Sequence, residues 1–178
     1  MRFMSIIFQE WKISSFITQK KKEEDLTMIN AYKAYWKRYF DFKGRTSRSN
    51  FWWAILGQLI VSIIVGFLAR MLDTNAVNSL WSLITFIPGL SLNVRRLHDV
   101  DRSGWLVLLA YIPIILFMVS LTLTTASLLM NAEAASGGFG LATIVFGLLA
   151  LIVAIYFIIL FVKQGVQGAN RYGMPDED

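Results

Sequence analysis

Four long stretches without a charged residue follow one another between Phe51 and Val162, and they limit this chain's fold more than any other feature. A helix needs about 20 residues to cross a hydrocarbon core of about 30 Å, and each stretch reaches that length. Lipid offers no partner for backbone N–H and C=O groups, so the segments must close their hydrogen bonds internally as helices. The predicted spans are about 51–70, 74–94, 105–130 and 139–162. The second contains Pro88-Gly89, a place for a kink, and the fourth is expected to start near Phe139, after Ser136-Gly137-Gly138.

The composition agrees with that reading. Hydrophobic residues make up 56% of the chain and charged ones 16%, against about 25% charged in a soluble domain. A soluble enzyme is excluded, and so is a DNA-binding domain, despite a pI of about 9.6. There is no cysteine, so disulfides, thiolate metal sites and cysteine nucleophiles are excluded. His98 is the only histidine, which rules out a two-histidine metal site; no metal and no cofactor is expected.

The basic residues set an orientation. Lysine and arginine number eleven before the first span, three in the segment 95–104 and two after the fourth span, against Arg70 alone on the other side. This positive-inside bias predicts that both termini are cytoplasmic. It accounts for the basic pI without nucleic acid.

Ahead of the first span, Met28, Tyr32, Tyr35, Trp36 and Tyr39 recur at helical spacing, interleaved with Lys33, Lys37 and Arg38. That pattern predicts an interfacial amphipathic helix with its aromatics at headgroup depth. Residues 1–27 form a separate N-terminal extension, 28–174 a single transmembrane domain, and 175–178 an acidic tail. In the extension, Phe3, Ile6, Ile7, Ile13 and Ile17 make a second interfacial stripe, too short and interrupted for a secretory signal. Lys22-Glu23-Glu24 can also be encoded by a purine-rich run like a ribosome-binding site, which would make Met28 the start. Sequencing the N-terminus of the natively expressed protein separates a Met28 start from a genuine interfacial extension.

Four motifs stand out: Phe42-Lys43-Gly44-Arg45-Thr46-Ser47-Arg48-Ser49-Asn50-Phe51-Trp52, the run from Pro88 to Asp99 ending Arg95-Arg96-Leu97-His98-Asp99, Ser103-Gly104-Trp105, and Gly168-Ala169-Asn170-Arg171-Tyr172-Gly173. Together they resemble an uncharacterised bacterial inner-membrane family, domain of unknown function 805, over roughly Met28 to Met174. The resemblance implies a small polytopic protein of the bacterial cytoplasmic membrane. It implies no activity, cofactor or catalytic residue. Members of that family begin near Met28, leaving residues 1–27 without a counterpart.

With four spans, all these polar motifs fall at one face of the membrane, where helix ends converge as they do around sites in bundles. The candidate contact residues are Arg45, Arg48, Arg95, Arg96, His98, Asp99, Trp105, Asn170 and Arg171. Arginine's planar fork suits phosphate, so an anionic lipid headgroup is one partner and another membrane protein a second. The plainer role for these arginines is to set topology and snorkel to headgroups. Hydrogen bonding among Asp99, Arg45 and Asn170 would be structural. Adjacent residues on a helix point about 100° apart, so His98 and Asp99 face each other as an acid–base pair only if the loop 95–104 is irregular.

Apart from Arg70, which closes the first, the predicted spans contain no Asp, Glu, Lys, Arg or His, which argues against a proton- or ion-coupled transporter. Ala54, Gln58, Ser62 and Gly66 form a four-residue row that lets another helix approach closely. Gly147, Ala150 and Ala154 offer a matching surface on the fourth helix. The expected protein is all-α, a bundle of four transmembrane helices preceded by an interfacial helix. Its expected function is non-enzymatic, with the motif cluster binding lipid headgroups or a partner protein. The alternatives are an oligomeric transporter or channel, with the Gln58 row at subunit contacts, and a membrane-embedded enzyme using His98.

Overall fold

The structure, a computed structural model, describes residues 27–130 and 132–175. The extension's interfacial stripe, the question of the start and the acidic residues of the tail lie outside the described residues. Those residues are helical apart from turns and one isolated bridge between Asn170 and Gly173. A short α1 covers residues 27–37. It is followed by α2 (Arg48–Met71), α3 (Ala76–Asp99), α4 (Leu106–Leu129) and α5 (Glu133–Val162). The last four are long and apolar enough to cross a membrane.

Two helix ends differ from the sequence expectation. α3 runs five residues past Val94, to Asp99, and its terminal charges find partners both within the helix and in the segments 41–48 and 161–163. Arg95 Nη1 donates back to Ser91 Oγ at 3.1 Å, and Arg96 pairs with Asp99 three residues on. α5 starts at Glu133, not Phe139. Glu133, Ala134 and Ala135 are strong helix formers, and the helix continues through Gly137 and Gly138 although each costs about 1 kcal/mol relative to alanine.

The described residues fall into two compact units. The first contains 27–40 and 49–89. Its organising feature is Pro88, which sits inside α3 and is fully buried. Proline has no N–H, so the carbonyl four residues back, Ile84, loses its helical donor. In an apolar span such an orphan carbonyl costs several kcal/mol unless another group reaches it. α1 and the turn after it supply that group: Tyr39 OH donates to Ile84 O at 2.6 Å, and Tyr35 OH donates to the next carbonyl, Thr85 O, at 3.1 Å. Tyr35 is almost wholly buried, and burial pushes its hydroxyl pKa up, which keeps it a donor.

The aromatic face of α1 is therefore turned onto α2 and α3. Tyr32 stacks on Tyr35 and packs over Gly57, where a Cβ would lie 2.9 Å from the Tyr32 ring. Trp36 meets Trp81 of α3 at 5.8 Å between centroids. The row Ala54, Gln58, Ser62, Gly66 borders this contact. Tyr32 OH donates weakly to Gln58 Oε1 (3.4 Å), and Ser62 Oγ accepts from Gln58 Nε2 (3.3 Å) and Trp81 Nε1 (3.0 Å). Ala54 is buried, and Gly66 lies opposite Asn78.

The second unit contains 41–48 and 90–175. α4 and α5 pair along their length, with Phe117 against Gly147 and Thr124 Oγ1 3.0 Å from Thr143 Oγ1. Hydroxyls in these apolar helices bond back to their own turn, as Thr122 does to Met118 O and Thr125 to Leu121 O, so they add no unmet polarity. Leu97 of α3, Val107 of α4 and Leu160 of α5 form a buried core, with Val94, Tyr111, Phe157 and Phe161 around it.

Replacing Tyr39 with Phe removes the donor to Ile84 and is expected to lower stability by about 1–3 kcal/mol. In a Pro88→Ala background the restored helical N–H takes over, so the same Tyr39→Phe change should cost much less. Unfolding titrations of the four proteins in mixed micelles check this. Equal effects in both backgrounds would show that Tyr39 does not serve the proline gap.

Candidate functional site

Three polar segments meet in the second unit: the loop 41–48 before α2, the C-terminal turns of α3 with the link to α4, and residues 163–173 after α5. They meet because each segment's backbone is incomplete and the others complete it. The last carbonyls of a helix have no partner inside the helix. At the end of α3, His98 O accepts from Asn170 Nδ2 at 2.8 Å and Asp99 O from Val166 N at 2.9 Å. At the end of α5, Arg96 Nε and Nη2 donate to Phe161 O at 3.1 and 2.9 Å, and Nη2 also to Lys163 O. The loop before α2 joins through Thr46 N to Arg95 O, 3.2 Å.

The centre of this arrangement is the Asp99 carboxylate. Oδ1 accepts from Arg45 Nε at 3.0 Å, and Oδ2 pairs with Arg96 Nη1. The other nitrogens of Arg45 reach backbone as well: Nη1 donates to Gly168 O at 2.7 Å and more weakly to Gly173 O, and Nη2, itself 2.9 Å from Asp99 Oδ1, donates to Val166 O. Arg95 Nε donates to Thr46 Oγ1 at 3.1 Å, and its Nη1 to Asp41 O as well as Ser91. All three arginines are at most 3% exposed. Buried ions cost several kcal/mol each in desolvation unless paired and hydrogen-bonded; Arg45 and Arg96 share the Asp99 carboxylate, and Arg95 is hydrogen-bonded to Thr46, Ser91 and the Asp41 carbonyl. The packing leaves no slack at Gly165, where a Cβ would overlap the Asp99 carboxylate.

The remaining candidates are placed differently. Arg171 makes an exposed pair with Asp101 (3.1 Å) and lies over the Tyr172 ring at 4.8 Å. Arg48 is exposed at the start of α2. Trp105 is 76% exposed at the N-cap of α4. His98 and Asp99 point to different partners, as helical geometry requires: the His98 Nδ1 lies 3.1 Å from Gly44 O, a group that only accepts, so Nδ1 carries the proton.

Beside this clasp lies a cavity of about 480 Å3, within the range of small-molecule sites. Leu90, Val94, Val107 and Leu108 form its apolar wall, with Phe42, Trp105, Tyr172 and His98 around them and Ser103 and Gly104 at the α3–α4 link. Tyr172 is a member the sequence reading did not single out. Its ring stacks on His98, 3.7 Å between centroids and 5° from parallel. The available signal was its place in the motif, two residues after Asn170, whose Oδ1 accepts the Tyr172 N–H at 2.9 Å. Leu90 and Val94 carried no signal beyond belonging to an apolar span.

The family model described as Protein of unknown function (DUF805) matches residues 39–174, and the chain belongs to that family. Among curated proteins, Inner membrane protein YhaI of Escherichia coli (strain K12) is 38% identical over 92 residues, 51% of this chain and 78% of that protein. Inner membrane protein YhaH of the same organism is 34% identical over 89 residues, 47% of this chain and 74% of that protein. No solved structure matches the chain significantly. With four apolar helices and relatives so named, the chain is a multi-pass inner-membrane protein.

Asp99→Asn leaves two buried guanidinium groups without their counter-charge and should cost about 3–5 kcal/mol. Removing the exposed pair with Arg171→Ala should cost less than about 1 kcal/mol. Thermal unfolding in detergent, comparing both variants with the parent, measures the contrast.

Proposed function

We propose that the protein is a non-enzymatic binding protein of the inner membrane, with both termini in the cytoplasm, that holds a membrane amphiphile in the cavity beside the arginine–aspartate clasp. The observation that carries this reading is how the arginines are used. Arg45, Arg95 and Arg96 are buried and saturated by backbone and side-chain acceptors, so their part is to fix helix ends. What those ends frame is an apolar cavity whose aromatic rim includes His98 and Trp105, two of the residues marked out by the motifs. Arg48, exposed nearby in sequence, remains suited to headgroup phosphate.

Several features favour binding over catalysis. His98 is oriented by the Gly44 carbonyl, and Asp99 is committed to two guanidinium groups, so no carboxylate activates the imidazole. The positive-inside bias supports the orientation, with the clasp at the cytoplasmic surface.

The chain has no cysteine, so single cysteines report topology cleanly. In intact cells, Gln167→Cys should resist a membrane-impermeant maleimide and Asn75→Cys should react; the reverse pattern would invert the orientation. For the cavity, Leu108→Trp should strip a co-purifying lipid seen by native mass spectrometry, while Arg171→Ala should keep it. Retention in the Leu108→Trp protein would remove the cavity as the binding site.

A further inference from the structure

His98 carries an atom that the fold leaves unused. With Nδ1–H donated to Gly44 O, Nε2 of the neutral ring is a hydrogen-bond acceptor. Nε2 lies at the Gly104 side of the cavity, 3.1 Å from where a Gly104 Cβ would stand. Among the described residues nothing donates to it, although the buried polar side-chain atoms around it are all satisfied. The ring cannot swing away to find a partner. It is held by the Gly44 carbonyl at one edge and by the parallel Tyr172 ring on one face.

The rest of the wall decides the ligand's charge. No lysine, arginine, aspartate or glutamate is among the described lining residues; Ser103, Tyr172 and His98 are the polar ones. The nearest positive charge, Arg171 over the Tyr172 ring, is already paired with Asp101, and Asp99 is consumed by Arg45 and Arg96, so neither an anionic nor a cationic headgroup finds an unclaimed counter-charge. Burying either charge unpaired in an apolar cavity is strongly unfavourable.

The geometry points to a neutral amphiphile whose hydroxyl donates to His98 Nε2 while its apolar body lies against Leu90, Val94 and Leu108. This rests on the proposal that the cavity is the binding site, and it adds the chemistry of the head. An aromatic hydroxyl on an alkyl or prenyl chain, as in a hydroquinone, and a glycerol hydroxyl, as in a diacylglycerol, share that chemistry.

The test uses the full chain in phosphatidylcholine nanodiscs, with bound species read by native mass spectrometry. Four probes form two pairs: a decyl hydroquinone and its dimethyl ether, and a short-chain diacylglycerol and its methyl ether. Phosphatidylglycerol is the fifth. In at least one pair the hydroxyl compound should be retained roughly tenfold better than its ether, and which pair shows it identifies the source. His98→Asn keeps an N–H near the Nδ1 position and deletes Nε2, so it should reduce that ratio to near one. Equal retention of hydroxyl and ether in both pairs, preference for phosphatidylglycerol, or no retention at all would overturn the inference; the parent protein alone decides this if the variant fails to fold. Leu108→Trp separates the two levels. If it excludes ethers and hydroxyl compounds alike, the cavity reading survives a failed hydroxyl test; if it excludes neither, both fail.

Discussion

One carboxylate organises the polar end of this protein. Asp99 is the last residue of α3, and it faces two guanidinium groups brought from opposite directions in the chain, Arg45 from before α2 and Arg96 from its own helix. Each arginine then reaches on to backbone carbonyls, Arg45 to the segment after α5 and Arg96 to the end of α5 itself. A charge placed there does more than pair. It makes burial of the two arginines tolerable, and they in turn supply the N–H donors that the helix ends lack. Gly165 shows how closely this is fitted, since any side chain there would displace the carboxylate.

The same economy governs α1 and Pro88. A proline inside a membrane span leaves a carbonyl without its donor, and Tyr39 and Tyr35 supply hydroxyls at that turn. In both places, side chains from a segment outside the spans repair a backbone defect inside or at the end of one. This gives a physical reason for the aromatic residues of α1 that differs from anchoring at headgroups: their rings pack on α2 and α3, while Lys33 and Lys37 stay exposed.

Much of this was legible in the sequence. Charge-free length alone marked the four spans, because a helix in lipid cannot be short or charged. The convergence of the polar segments followed from counting spans, and the loop 41–48, the end of α3 with its link to α4, and the segment after α5 all lie in the second unit. Helical spacing sets His98 and Asp99 on different faces, and their separate partners, Gly44 O and the two guanidinium groups, follow from it. What the sequence could not show was the destination of each arginine. An arginine at a helix end reads equally as a snorkelling surface charge or as a buried clasp, and only the positions of the Phe161, Val166 and Gly168 carbonyls distinguish them. The end of α3 was misjudged for a related reason: Arg95 and Arg96 look like a loop until their acceptors are known. The cavity was invisible because Leu90, Val94 and Leu108 are ordinary span residues until helices are packed.

Arg45 and Asp99 hold the segment after α5 against the end of α3. Hydrogen exchange of the Arg45→Met protein in nanodiscs tests this directly, since local opening is read residue by residue. Without the Arg45 guanidinium, the Val166 and Asn170 amides should lose protection, while the amides of α4 and α5 within the spans keep theirs. Unchanged protection at Val166 and Asn170 would contradict it.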